Sequence, residues 1–182
     1  MDARSDRDEW LMAQVAQGKR ECLEPLVRRY ASPLLTFITR LINDRHRSEE
    51  LFQEVFLAVW TKRHQYEFPR PFKAWLYGIA INKCRASFRT RRPEPIPLEM
   101  EAPVADECAP ADTLVATETA HMVATAVTLL PAQQRAVVVL RIWDGMSYPD
   151  IAQTVRCSEA TVRSHMHHGL SALRKYLEPR LR

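Results

Sequence analysis

The stretch that decides the fold runs Ser147-Tyr-Pro-Asp-Ile-Ala-Gln-Thr-Val155, then Arg156-Cys157, then Ser158-Glu-Ala-Thr-Val-Arg-Ser-His-Met-His-His-Gly-Leu-Ser-Ala-Leu-Arg-Lys-Tyr176. Ser147 to Asp150 is a capping box of the S-x-x-D kind, with proline in the first turn, where a missing N–H is tolerated. Ile151, Ala152 and Val155 give a short helix one inward face, and Ala152 is small where two helices must cross closely. Arg156 and Cys157 make the turn. Ser158 caps a second helix whose apolar residues Val162, Met166, Leu170, Leu173 and Leu177 recur about every 3.5 residues. Helix, tight turn, helix is the geometry of DNA-binding helix-turn-helix units, whose second helix enters the major groove. A plain helical hairpin with a solvated basic face has the same local pattern.

The outward positions of the second helix are Glu159, Ala160, Arg163, Ser164, His167 and His168. Arg163 suits a bidentate contact to a guanine edge or a phosphate. Arg174 and Lys175, further along, suit phosphates. His165 and His168 have i, i+3 spacing, but no carboxylate stands beside them at ligand spacing, so DNA-facing or exposed histidines are expected and no metal or other cofactor.

Working outward, charge divides the 182 residues into three. Residues 1–92 carry eighteen Lys/Arg against eleven Asp/Glu. Residues 93–134 carry seven acids and no base, and residues 135–182 carry eight bases and four acids. Two basic blocks flanking an acidic middle predict two polyanion-binding lobes and a connector that binds none. The connector, residues 93–112, holds five prolines with acids and small residues, and is read as an extended linker or a spacer with no role of its own. With only four glycines and abundant Ala, Leu, Arg and Glu, the class is all-α: an N-terminal bundle over 1–92 and a helix-turn-helix domain over 113–182.

Within the first block, helices are expected over 6–17, 21–42 with a kink at Pro33, one beginning near a Ser48 cap, and 72–89. The third carries the stripe Phe52, Val55, Phe56, Val59, Trp60, and the two prolines of Tyr66-Glu-Phe-Pro-Arg-Pro71 enforce a loop before the fourth. The four cysteines are far apart and form no C-x-x-C, which fits idle thiols in a reducing compartment rather than a disulfide scaffold. The charged N-terminus and the absence of a long apolar run predict a soluble, cytoplasmic chain with no membrane insertion.

Leu130-Pro-Ala-Gln-Gln-Arg-Ala-Val-Val-Val-Leu-Arg-Ile-Trp-Asp-Gly-Met-Ser-Tyr-Pro-Asp-Ile-Ala152 and Ser158-Glu-Ala-Thr-Val-Arg-Ser164 resemble the C-terminal domain, region 4, of extracytoplasmic-function (ECF) sigma factors. Glu49-Glu-Leu-Phe-Gln-Glu-Val-Phe-Leu-Ala-Val-Trp60 resembles that family's polymerase-gripping helix, and Phe72-Lys-Ala-Trp-Leu-Tyr-Gly-Ile-Ala-Ile-Asn-Lys83 its −10-reading helix, both in region 2. The resemblance covers nearly the whole chain outside the connector. It implies an RNA polymerase sigma factor that directs promoter-specific initiation, with no catalysis of its own. Glu50, Gln53 and Glu54 are then expected against the clamp of the largest subunit of the polymerase core. Tyr66, Ile79, Asn82 and Lys83 are expected to capture melted −10 bases, and Lys73, Arg85 and Arg89 to hold that strand's phosphates. Trp75 and Leu76 are assigned to the core. Arg163, Ser164, His167, His168, Arg174 and Lys175 are expected on −35 duplex. Promoter DNA, core polymerase and an anti-sigma factor are the implied partners, with the acidic connector threading basic polymerase channels.

The chain departs from the family pattern in places. Arg156 stands where the turn usually has glycine, the histidines stand where arginine and an aromatic are usual, and Gly78 stands where a basic residue is common. Gly169 inside the recognition helix costs about 1 kcal/mol of helix propensity. A histidine-rich reading head makes DNA affinity pH-sensitive as a hypothesis. It fails if salt-matched binding does not change between about pH 6 and 8. A regulator acting without polymerase accounts for the helix-turn-helix but not for the N-terminal motifs. No phosphate loop, H-E-x-x-H or nucleophile elbow supports an enzyme.

Overall fold

The computed structural model describes residues 7–90 and 111–180, and among them regular structure is entirely helical. The N-terminal lobe contains α1 (Asp8–Ala16), α2 (Leu23–Ile42), α3 (Arg45–Thr61) and α4 (Phe72–Thr90). The C-terminal lobe contains α5 (Ala111–Thr128), α6 (Ala132–Ile142), α7 (Tyr148–Val155) and α8 (Glu159–Leu177). The expected connector lies outside the described residues except for its last two, which begin α5.

In the first lobe α2 is the central strut. Leu26, Leu34, Phe37 and Ile38 are fully buried, and the helix runs unbroken through Pro33. Asn43 ends it in the left-handed conformation that asparagine tolerates (φ 54°). The short helix α1 is tied to α2 by Asp8, which accepts from both Tyr30 Oη and Arg29. Glu9 Oε1 accepts the Phe72 N–H at 3.2 Å, occupying one of the donors left open at the start of α4.

Helix α3 starts earlier than expected. Asp44, not Ser48, is its cap: the Asp44 carboxylate accepts the Arg47 N–H at 2.9 Å. Ser48 is buried, and its hydroxyl donates to the Asp44 carbonyl at 2.6 Å. Leu51, Val55, Ala58 and Val59 are buried, while Phe52, Phe56 and Trp60 are half-buried at the edge of the core.

In the second lobe both predicted caps form. Ser147 Oγ accepts the Asp150 N–H at 3.2 Å, and Ser158 Oγ accepts the Thr161 N–H at 3.1 Å. The inward face of α8 is Val162, Met166, Gly169 and Leu173. Leu170, expected inward, is exposed, and Gly169 takes the buried place because α6 crosses there. An ideal Cβ on Gly169 would lie 2.8 Å from Val138 Cγ2, so only a glycine permits this approach.

The two lobes share one hydrophobic core. Arg135 is seated at their junction. Its guanidinium donates to the Leu41 carbonyl near the end of α2, and to the Thr128 and Leu130 carbonyls at the end of α5. It also lies 5.3 Å from the Phe88 ring centroid of α4. One side chain thus satisfies terminal carbonyls of two helices, groups that have no partner within their own helices.

Candidate nucleic-acid interface

Along the N-terminal half of α8, Glu159, Ala160, Arg163, Ser164, His167 and His168 are all exposed. Arg163 is held without being hidden. Its guanidinium lies 4.5 Å from the Tyr148 ring centroid of α7, with the Glu159 carboxylate 3.7 Å away. A guanidinium parked on an aromatic face loses less freedom when it meets a base edge. Ser164 Oγ lies 3.4 Å from His168 Nδ1, and the His167 and His168 rings stand edge to face. Arg174 and Lys175 are exposed in the last turn, where cations also suit the helix dipole. Among the described residues no cluster of three or more metal-ligating side chains forms. Sequence reasoning missed Tyr148 and Arg141. The Arg141 guanidinium lies 4.9 Å from the same ring, so Tyr148 gathers two cations beside α8.

In the first lobe α4 is the richest surface. Ile79, Asn82 and Lys83 line one pocket of about 300 Å³ together with Lys62, Gln65 and Arg70, and with Thr154 and Arg156 of the second lobe. Lys62 and Arg70 were not expected there. Both precede α4 in the chain, and the turn at residues 66–71 brings them beside it. Tyr66 is not presented to this pocket. It is 7% exposed, its ring packs edge-on against Trp75, and its hydroxyl donates to the Arg70 carbonyl, so it supports the loop from beneath. Burial pushes its phenol well above the usual tyrosine range. The aromatic that the loop does expose is Phe68, 61% accessible. Trp75 and Leu76 are buried, as the helical spacing indicates. Arg89 is exposed at the end of α4, whereas Lys73 and Arg85 face the other lobe.

On α3, Gln53 is exposed, while Glu50 and Glu54 belong to an ion-pair network. Arg47 reaches Glu50 at 2.7 Å and Glu54 at 3.4 Å, and Lys83 reaches Glu54 at 2.9 Å. The hydrogen bond to Glu50 raises the pKa of Arg47 above the ordinary guanidinium value. The acids expected to meet the polymerase are therefore already partnered, and the network ties α3 to α4.

Comparison with known proteins agrees with this layout. Residues 26–94 match Sigma-70 region 2, and residues 120–173 match Sigma-70 region 4. The RNA polymerase sigma-H factor of Pseudomonas aeruginosa is 28% identical over 187 residues, covering 97% of each chain. The ECF RNA polymerase sigma factor SigM of Mycobacterium tuberculosis is 30% identical over 175 residues, covering 96% of this chain and 85% of the relative. Among solved structures, CnrH in complex with the cytosolic domain of CnrY superposes with a TM-score of 0.73 at 26% identity, covering 94% of this chain and 97% of that one. The region 2 match accounts for the half of the chain that a stand-alone helix-turn-helix regulator leaves unexplained. With both regions present in order on an all-helical chain, this protein belongs to the sigma-70 family of RNA polymerase sigma factors, in its extracytoplasmic-function branch.

Proposed function

We propose that this sigma factor, which directs promoter-specific transcription initiation, divides its work between three surfaces. The face of α3 around Gln53, with Glu50 and Glu54 beside it, meets the polymerase clamp. The α4 pocket captures the −10 element as an opened strand, and α8 reads the −35 element as duplex. Residues 1–92 and 113–182 are the two reading domains. The chain contributes no catalysis and works in the cytoplasm; among the described residues no helix is long and apolar enough to cross a membrane. An anti-sigma factor is the expected inhibitor, a reading supported by the similarity to CnrH, whose structure contains the cytosolic domain of CnrY.

The observation that carries the reading is the convergence of Ile79, Asn82 and Lys83 with Lys62 and Arg70 on one pocket. A flipped base needs an apolar wall, a hydrogen-bonding group for its edge and cations for its phosphate. Ile79 supplies the first, Asn82 the second, and the two lysines and Arg70 the third. Tyr66 does not line this pocket, and Phe68 is the ring that the preceding loop leaves exposed.

Transcription in vitro with purified core polymerase tests the whole assignment. Added protein is expected to start transcripts from a genomic promoter library that core alone does not start. Arg163→Ala should lower discrimination between −35 sequences about 10- to 100-fold. Lys175→Ala should weaken binding evenly and reduce the salt slope by about one. Core polymerase that neither associates with the chain nor initiates better in its presence overturns the reading.

A further inference from the structure

Arg163 ends a chain of contacts that starts in the backbone of the second lobe. Arg141 Nη1 donates to the Met146 carbonyl at 2.9 Å, and its guanidinium lies 4.9 Å from the Tyr148 ring centroid. The Arg163 guanidinium lies 4.5 Å from that same centroid, and the Glu159 carboxylate stands 3.7 Å from it, one turn back along α8. Tyr148 is itself fixed. It is the first residue of α7, between the Ser147 cap and Pro149, and its ring packs against the hydrophobic core. Glu159 is the only acid among residues 159–168, on the surface assigned to DNA. An acid there lowers affinity for any polyanion, so affinity does not explain it. The helix dipole favours an acid in the first turn. It does not by itself require that acid to stand one turn before the reading arginine.

We propose that Tyr148 and Glu159 are the positioning residues of the −35 readout: they aim the Arg163 guanidinium at a base edge and so set specificity, without either touching a base. This rests on the reading of α8 as the −35 helix. An untethered arginine reaches phosphates as easily as base edges, and a phosphate is available on every sequence. A guanidinium held over a ring keeps its plane and donors oriented, which a bidentate contact to guanine needs. The carboxylate repels neighbouring phosphates and holds Arg163 back from them. Wrong sequences then lose more than the right one, because they offer Arg163 no base edge in place of the phosphate it is denied. Neither contact contributes much to stability, since the Arg163 side chain is 61% exposed and that of Glu159 47%. Both act on direction.

The test uses the full chain assembled with core polymerase, on promoter fragments that differ only at −35. Discrimination is the ratio of affinities for the best −35 sequence and its single-base variants at one salt concentration. Tyr148→Leu is expected to lower it about threefold, the size of an exposed cation–π contact. Tyr148→Phe keeps the ring, loses only the hydroxyl and should keep the discrimination. Glu159→Gln should lower discrimination while tightening binding to every fragment. In an Arg163→Ala background neither Tyr148→Leu nor Glu159→Gln should change discrimination further, because both act through that arginine. Thermal melting checks that each variant is folded, and Glu159→Gln carries the test alone if Tyr148→Leu is not. Wild-type discrimination in Tyr148→Leu overturns the role of the ring. So does an equal loss in Tyr148→Phe, which would show the hydroxyl contacting DNA directly. An effect of Glu159→Gln that persists without Arg163 would mean a direct base contact and overturn the role of the acid. Unchanged discrimination in Arg163→Ala alone removes instead the −35 reading of α8, on which the proposal stands.

Discussion

Lys83 Nζ donates to Glu54 Oε2 at 2.9 Å, so the helix assigned to DNA and the helix assigned to polymerase share an ion pair. Both side chains are 37% exposed, which limits the pair to under about 1 kcal/mol of stability. Glu54→Gln is expected to lower the melting temperature only slightly while releasing Lys83. Charge reversal at Glu50 or Glu54 also strands Arg47, which pairs with both. Gln53→Lys is the cleaner probe of the clamp contact. It should reduce co-purification with core polymerase at unchanged melting temperature. Wild-type recovery of polymerase would remove this face of α3 from the assignment.

Arg156 holds the turn between α7 and α8 in the left-handed region, at φ 59° and ψ 53°. A side chain there costs roughly 1 kcal/mol relative to glycine. Arg156→Gly should therefore raise the melting temperature by about 2–4 °C, measured by calorimetry. A lower value would mean that the arginine side chain stabilises the pocket wall by more than the backbone strain costs.

Gly169 predicts the opposite of its helix propensity. In an open helix, glycine to alanine gains about 1 kcal/mol. Here the new methyl would meet Val138 Cγ2 at 2.8 Å, and Val138 is itself buried and branched. Overpacking of this kind costs about 1–3 kcal/mol. Gly169→Ala is expected to destabilise the second lobe in urea unfolding. A gain in stability would show that α6 and α8 separate easily.

Burial pushes the Cys84 thiol up to about 12. Only the thiolate attacks alkylating agents, so at pH 8 the buried thiol stays almost entirely in its unreactive form. Iodoacetamide at that pH should leave Cys84 unmodified in the native protein and modify it after denaturation, read by peptide mass spectrometry. Native labelling of Cys84 comparable to that of half-buried Cys22 or Cys157 would contradict the packing of α4.

Helix content, the two capping serines at 147 and 158, and the exposed face of α8 were legible because they depend on neighbours within a few residues. The same local rules failed at Ser48, where Asp44 competes for the cap one turn earlier, and at Leu170, where a tertiary crossing favoured a glycine. Tyr66 looked available because it sits in a proline-rich loop, yet its ring fits between Phe72 and Trp75. Lys62 and Arg70 joined the pocket through a turn whose path no periodicity encodes. The contact of Lys73 and Tyr77 with Asp144 joins residues about seventy positions apart. Nothing in a single sequence pairs such distant groups, so the mutual engagement of the lobes became visible only in three dimensions.

Arg135 ties the end of α2 to the second lobe through the Leu41 carbonyl. An Arg135→Met change would leave that carbonyl without this donor, and the final turn of α2 would lose a tertiary restraint. Amide protons there would then trade with solvent faster, making that distant helix end a reporter of how firmly the two lobes hold each other.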